Sequence, residues 1–98
     1  MRESHMYSIL NLINGLLIEL IEDVNDYETV SKYIDIIYKL ILQLSNTIDD
    51  NIDYKYLEDK INGFNKLILQ CKSIWSRYIN ELNKFELMYN EVINKINI

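Results

Sequence analysis

Residues 57–96, LEDKINGFNKLILQCKSIWSRYINELNKFELMYNEVINKI, decide the fold. Apolar side chains recur at Leu57, Ile61, Phe64, Ile68, Cys71, Trp75, Tyr78, Leu82, Phe85, Tyr89, Val92 and Ile96. Every step is four or three, in alternation. That is a 3.5-residue repeat held over about five and a half heptads, the pattern of a helix that buries one continuous seam. No proline interrupts it. Only Asn62-Gly63 softens it, at ~1 kcal/mol relative to alanine. With Asp53 as its N-cap, the stretch predicts a third helix over 53–97, about 45 residues and ~65 Å long.

The two preceding segments also read as helices. Met6, Ile9, Ile13, Leu16, Leu20 and Val24 step at the helical period, and Leu10, Leu17 and Ile21 widen the stripe, so a first helix is expected over 5–23. Asn25 followed by Glu28 has the spacing of a capping box, which starts a second helix at 26 and makes the link between the two very short. The second helix, 26–46, carries Val30, Ile34, Ile37, Ile41, Leu44 and Ile48 in register, with Tyr33, Ile36, Leu40 and Leu42 on both flanks. Its apolar arc spans roughly two-thirds of the circumference, which predicts a central helix covered on two sides. Ser45-Asn46-Thr47 and Asp49-Asp50-Asn51 form the polar interruption that follows.

The expected fold is therefore all-α, one helical domain over 1–98, a hairpin of two helices packed on a long third one. Helices of about twenty residues reach only ~30 Å, half the length of the C-terminal seam. Either the third helix breaks near Cys71 and gives a four-helix bundle, or its second half buries its stripe on another chain. No break signal is present, which favours the second. On that reading Trp75, Tyr78, Leu82, Phe85, Tyr89, Val92 and Ile96 form a homodimer seam.

Composition narrows the function. Half of the 98 residues (49 %) are apolar, so the chain can build a core, and alanine and proline are absent while isoleucine and asparagine abound. Loss of residues with GC-rich codons points to an AT-rich genome, that of a low-GC bacterium, a phage, a large DNA virus or a protist. The net charge is −5. Residues 19–59 hold eleven acids against three bases, a net of −8, and residues 60–98 hold three acids against six bases, a net of +3. An acidic surface is disfavoured on phosphate backbones and on anionic membranes, so neither nucleic acid nor membrane is an expected partner. No signal peptide or spanning segment stands out, which reads as cytoplasmic. Ser4-His5-Met6 matches the remnant of a restriction site, so residues 1–5 are expected to be tag-derived or flexible.

Residues able to carry chemistry are few. His5 has no second histidine with which to build a site. Cys71 falls on the seam, where it packs as a small hydrophobe with a raised thiol pKa. Asp49-Asp50-Asn51 with Asp53 lacks the glycine and the terminal glutamate of a calcium loop, and no Glu-x-x-His motif supports a di-iron bundle. Lys66, Arg77, Lys84 and Lys95 would share one outer face of a continuous helix and read as a solvated face. No catalytic residue, metal ligand or cofactor site is expected, and the chain is not read as an enzyme.

What remains is a non-catalytic protein-binding module. Glu19, Glu22, Asp23, Asp26, Glu28 and Asp35 lie on or beside the polar faces of the first two helices, with Tyr27 as an aromatic anchor among them. That face would dock on a basic protein, as a small inhibitor or antagonist encoded by a phage, virus or low-GC bacterium. A structural protein dimerising through its long helix, and an immunity protein or antitoxin, are the alternatives.

Overall fold

A computed structural model describes residues 2–47 and 54–96 of the chain. It contains α1 (Arg2–Glu22), α2 (Tyr27–Ser45), α3 (Tyr54–Ile74) and α4 (Ile79–Ile96), with a 3₁₀ turn at Ser76–Tyr78 joining the last two. No strand occurs among the described residues. The Asp53 cap, the Asp49–Asn51 stretch and the end of the third predicted helix at 97 lie outside them. Helix α1 begins at Arg2, so residues 2–5 lie within it.

The four helices form a bundle of 40 × 20 × 20 Å. Each hairpin, α1–α2 and α3–α4, is antiparallel. The hairpins stack so that α1 lies beside α3 and α2 beside α4, while the diagonal pairs stay apart. Both lateral pairs run parallel: Tyr7 meets Tyr56 at one end of α1–α3, and Leu20 meets Trp75 at the other.

This arrangement corrects the continuous C-terminal helix. The seam breaks at Trp75, whose backbone leaves the helical region (φ −109°, ψ 54°), and α4 folds back along α3. Physically, the second half of the stripe needs cover, and a segment of the same chain supplies it without the translational and rotational cost of recruiting a second molecule. The heptad phase survives the break because each half turns its stripe toward one core. Leu82, Phe85, Tyr89, Val92 and Ile96 are buried there. Tyr89 stacks on Phe64 with ring centroids 3.6 Å apart and planes tilted by 13°. Trp75 and Tyr78 cover the corner. None of the seven residues assigned to a dimer seam is left as an open stripe, so the length argument for a homodimer lapses.

Helix α2 is not central either. In a square of four similar helices each occupies a corner and buries only the arc facing its neighbours. Val30, Ile37, Ile41 and Leu44 supply that arc. Ile36 and Leu42 remain 45 % and 42 % exposed.

The parallel α1–α3 contact contains two features that periodicity does not reveal. Asn14 is buried and donates through its side-chain nitrogen to the Lys60 carbonyl at 3.0 Å. A Cβ at Gly63 would stand 3.3 Å from that nitrogen, so the glycine in the seam lets the amide in. Cys71 is buried, its thiol directed at the Leu17 carbonyl at 3.6 Å, and burial pushes its pKa up to about 12.

Candidate functional site

The α1–α2 turn and the α3–α4 turn lie at the same end of the bundle, and the chemistry of that end follows from how the two helices there are terminated. The last carbonyls of a helix lack intrahelical partners. At the end of α1, Glu19 O accepts from the amides of Asp23 and Val24, both within 2.9 Å. Leu20 O accepts from the indole nitrogen of Trp75 at 2.7 Å. Tyr78 reaches the start of α2, where its hydroxyl lies 2.9 Å from Ser31 Oγ and donates to the Tyr27 carbonyl at 3.3 Å. An aromatic corner thus fastens one hairpin to the other.

Tyr27 belongs to this corner. Its ring meets Trp75 edge-on at 5.7 Å, and the Arg77 guanidinium lies over it, 4.4 Å from the centroid. It stays 49 % exposed, but part of its surface is spent inside the chain. The capping role falls one residue later than the Asn25–Glu28 pattern implies. Asp26 is the N-cap, accepting from the Thr29 amide at 3.0 Å and from its hydroxyl at 2.8 Å, which lowers the Asp26 pKa. Glu28 pairs with Lys32 at 3.8 Å and Asp35 with Lys39 at 3.3 Å, both in exposed i,i+4 geometry worth at most a few tenths of a kcal/mol.

The remaining acids differ. Glu19 accepts from the Tyr33 hydroxyl at 3.3 Å, and desolvation, followed by the nearby Glu19 charge, raises the Tyr33 pKa. Glu22 and Asp23 are exposed and make no ion pair among the described residues. All three stand at the C-terminal end of α1, whose last turn holds no basic residue. The negative end of the helix dipole makes a carboxylate there unfavourable by ~0.3–1 kcal/mol, and acids spaced i,i+3 and i,i+4 repel one another as well.

The basic stripe does not exist as one face. Arg77 covers Tyr27 and Lys84 covers Tyr38 at 5.2 Å, each bridging α2 to the α4 side. Lys66 stays on α3, and Lys95 lies near the end of α4. Lys72, absent from the sequence-derived candidates, forms an ion pair with Glu86 across the α3–α4 hairpin. Its only sequence signal is opposite charge fourteen residues away, legible once a hairpin is assumed. His5 is exposed on α1. Among the described residues no three of His, Cys, Asp and Glu gather as metal ligands, and no helix is long and apolar enough to cross a membrane.

Comparison of the chain with protein-family models, with curated proteins and with solved structures yields no match.

Proposed function

We propose that this protein is a non-catalytic binding module that docks the acidic end of its α1–α2 hairpin on a basic protein, acting as an inhibitor or antagonist in the cytoplasm of the producing or infected cell. The observation that carries the reading is the position of Glu19, Glu22 and Asp23. Folding would favour lysine or arginine at the C-terminus of α1, and the chain keeps three acids there, none of which makes an ion pair among the described residues. Charges retained against the stability of their own helix fit a role in recognition. A negative patch accelerates encounter with a positive surface and rejects acidic competitors, which is how a small inhibitor could displace nucleic acid from a basic target.

The test is capture from a lysate of the source cells on immobilised wild-type chain and on a Glu19→Lys, Glu22→Lys, Asp23→Lys variant. The reading expects a basic protein retained by the wild type, released by moderate salt and lost from the variant, at equal helicity. Equal retention by both chains would reduce the acids to a solubility device.

A further inference from the structure

The joint between α3 and α4 turns on one residue. Between the two helices only Trp75 lies outside a helical turn, at φ −109° and ψ 54°. Its amide still donates to the Cys71 carbonyl at 2.8 Å, four residues back as in a helix. Ser76–Tyr78 form a 3₁₀ turn, and Ile79 is already helical at φ −57° and ψ −37°. A change of roughly 45° in φ and 100° in ψ at Trp75 brings it to helical values and makes α3 and α4 one helix. A short 3₁₀ stretch inside a helical pattern is a common hinge.

The sequence suits both forms. A chain that reverses at Trp75 needs the 3.5-residue repeat within each half, but reversal leaves the register across the joint free. Cys71, Trp75, Tyr78 and Leu82 nonetheless keep steps of four, three and four through it. In a straight helix that register is required, because it holds the stripes of both halves on one side. No proline or glycine lies between Phe64 and Ile96 to stop such a helix.

We infer that the chain has a second assembly, a dimer in which α3 and α4 join and each copy lends its α4 to the other. The cover for the extended half is visible in the bundle itself. It is the α4 position beside α2 and α3, where Leu82, Phe85, Tyr89 and Val92 are buried. Exchange between identical chains remakes those contacts without a new surface. The Phe64–Tyr89 stack and the Lys72–Glu86 ion pair re-form between chains. What is lost is the corner: Trp75 on the Leu20 carbonyl, and Tyr78 on Ser31 and the Tyr27 carbonyl.

In the dimer two helices of ~65 Å lie antiparallel, with both α1–α2 hairpins on one face and their turns meeting at the joint. Glu19, Glu22 and Asp23 of both copies come together there, so low salt opposes the exchange and screening favours it. A single chain in dilute solution keeps the folded-back bundle. The exchange goes beyond the docking reading and does not rest on it.

The experiment refolds the full chain from urea at rising concentration, in low and high salt, and separates monomer from dimer by gel filtration. A dimer is expected that grows with concentration and with salt. Trp75→Phe removes a bond present only in the closed corner, and should raise the dimerisation constant about tenfold or more. Ser76→Pro should leave monomer alone, since proline in a straight helix neither donates to the carbonyl four residues back nor clears it. A third arm separates exchange from contact between two closed bundles, whatever the variants do. A Cys71→Ser chain spin-labelled only at Asn62→Cys is refolded with one labelled only at Asn94→Cys. Exchange sets the two labels on neighbouring helices with axes ~8–10 Å apart, so a short distance between chains is expected in the dimer. Monomer alone from both wild type and Trp75→Phe, a dimer that Ser76→Pro retains, or labels far apart in the dimer would each overturn the inference.

Discussion

The indole nitrogen of Trp75 donates to the carbonyl oxygen of Leu20 at 2.7 Å, joining the point where the C-terminal seam breaks to the last turn of α1. One side chain therefore satisfies a carbonyl in the last turn of α1 and ties the α3–α4 turn to it. Replacing it with phenylalanine keeps an aromatic ring but leaves a carbonyl of the last turn without its donor. Trp75→Phe should cost ~1–2 kcal/mol, seen as a lower urea midpoint with an unchanged slope.

Tyr89 has the opposite relation to its surroundings. Its ring is fully buried and stacked on Phe64, and its hydroxyl has no hydrogen-bond partner among the described residues. A buried donor without a partner costs free energy, so Tyr89→Phe should leave stability unchanged or raise it by up to ~1 kcal/mol. A clear loss of stability in thermal unfolding would mean that the hydroxyl is bonded after all.

Alkaline pH should destabilise the bundle. The Cys71 thiol titrates near 9.0 when exposed and is pushed by burial up to about 12, and burial together with nearby Tyr54 raises the Tyr89 phenol above its usual 10.0. Between the unfolded and folded values the unfolded chain has released a proton that the native chain still holds. Stability is then complete below pH 9 and falls at up to ~1.4 kcal/mol per pH unit per group above it. Denaturant titrations from pH 8 to pH 11 should show that decline, and Cys71→Ala should delay its onset to the tyrosine range. Before unfolding, the native thiol should resist thiol reagents.

The acidic end of α1 offers a test that separates folding from recognition. Glu22→Lys places a cation at the negative end of the α1 dipole, with no ion pair among the described residues to lose. It should raise thermal stability by ~0.3–1 kcal/mol and slow association with a basic partner. Lower stability would show that Glu22 serves the fold.

The seam in residues 57–96 was readable because burial follows a fixed period, and the same period holds in the folded chain. The break at Trp75 was not, because nothing local causes it. No proline or glycine sits there, and the determinants are contacts with residues far away in sequence: Trp75 with Leu20, Tyr78 with Ser31, Lys72 with Glu86. The apolar arc of α2 misled for a related reason. Periodicity counts apolar side chains, and a four-helix square cannot cover all of them, so Ile36 and Leu42 stay outside. Of the acidic candidates, the charges were legible but their duties were not. Asp26 turned out to be the cap, Glu28 and Asp35 were matched by lysines one turn on, and only the end of α1 kept acids with no countercharge among the described residues.

The four-helix bundle requires the C-terminal seam to fold back on itself, and one distance measures that directly. Spin labels at Asn62→Cys and Asn94→Cys, both exposed positions, in a Cys71→Ser background, report on α3 and α4. In the antiparallel hairpin the labels sit on neighbouring helices with axes ~8–10 Å apart, so a short interlabel distance within one molecule is expected. A continuous helix would separate the two positions by ~48 Å, and a distance of that order would contradict the account.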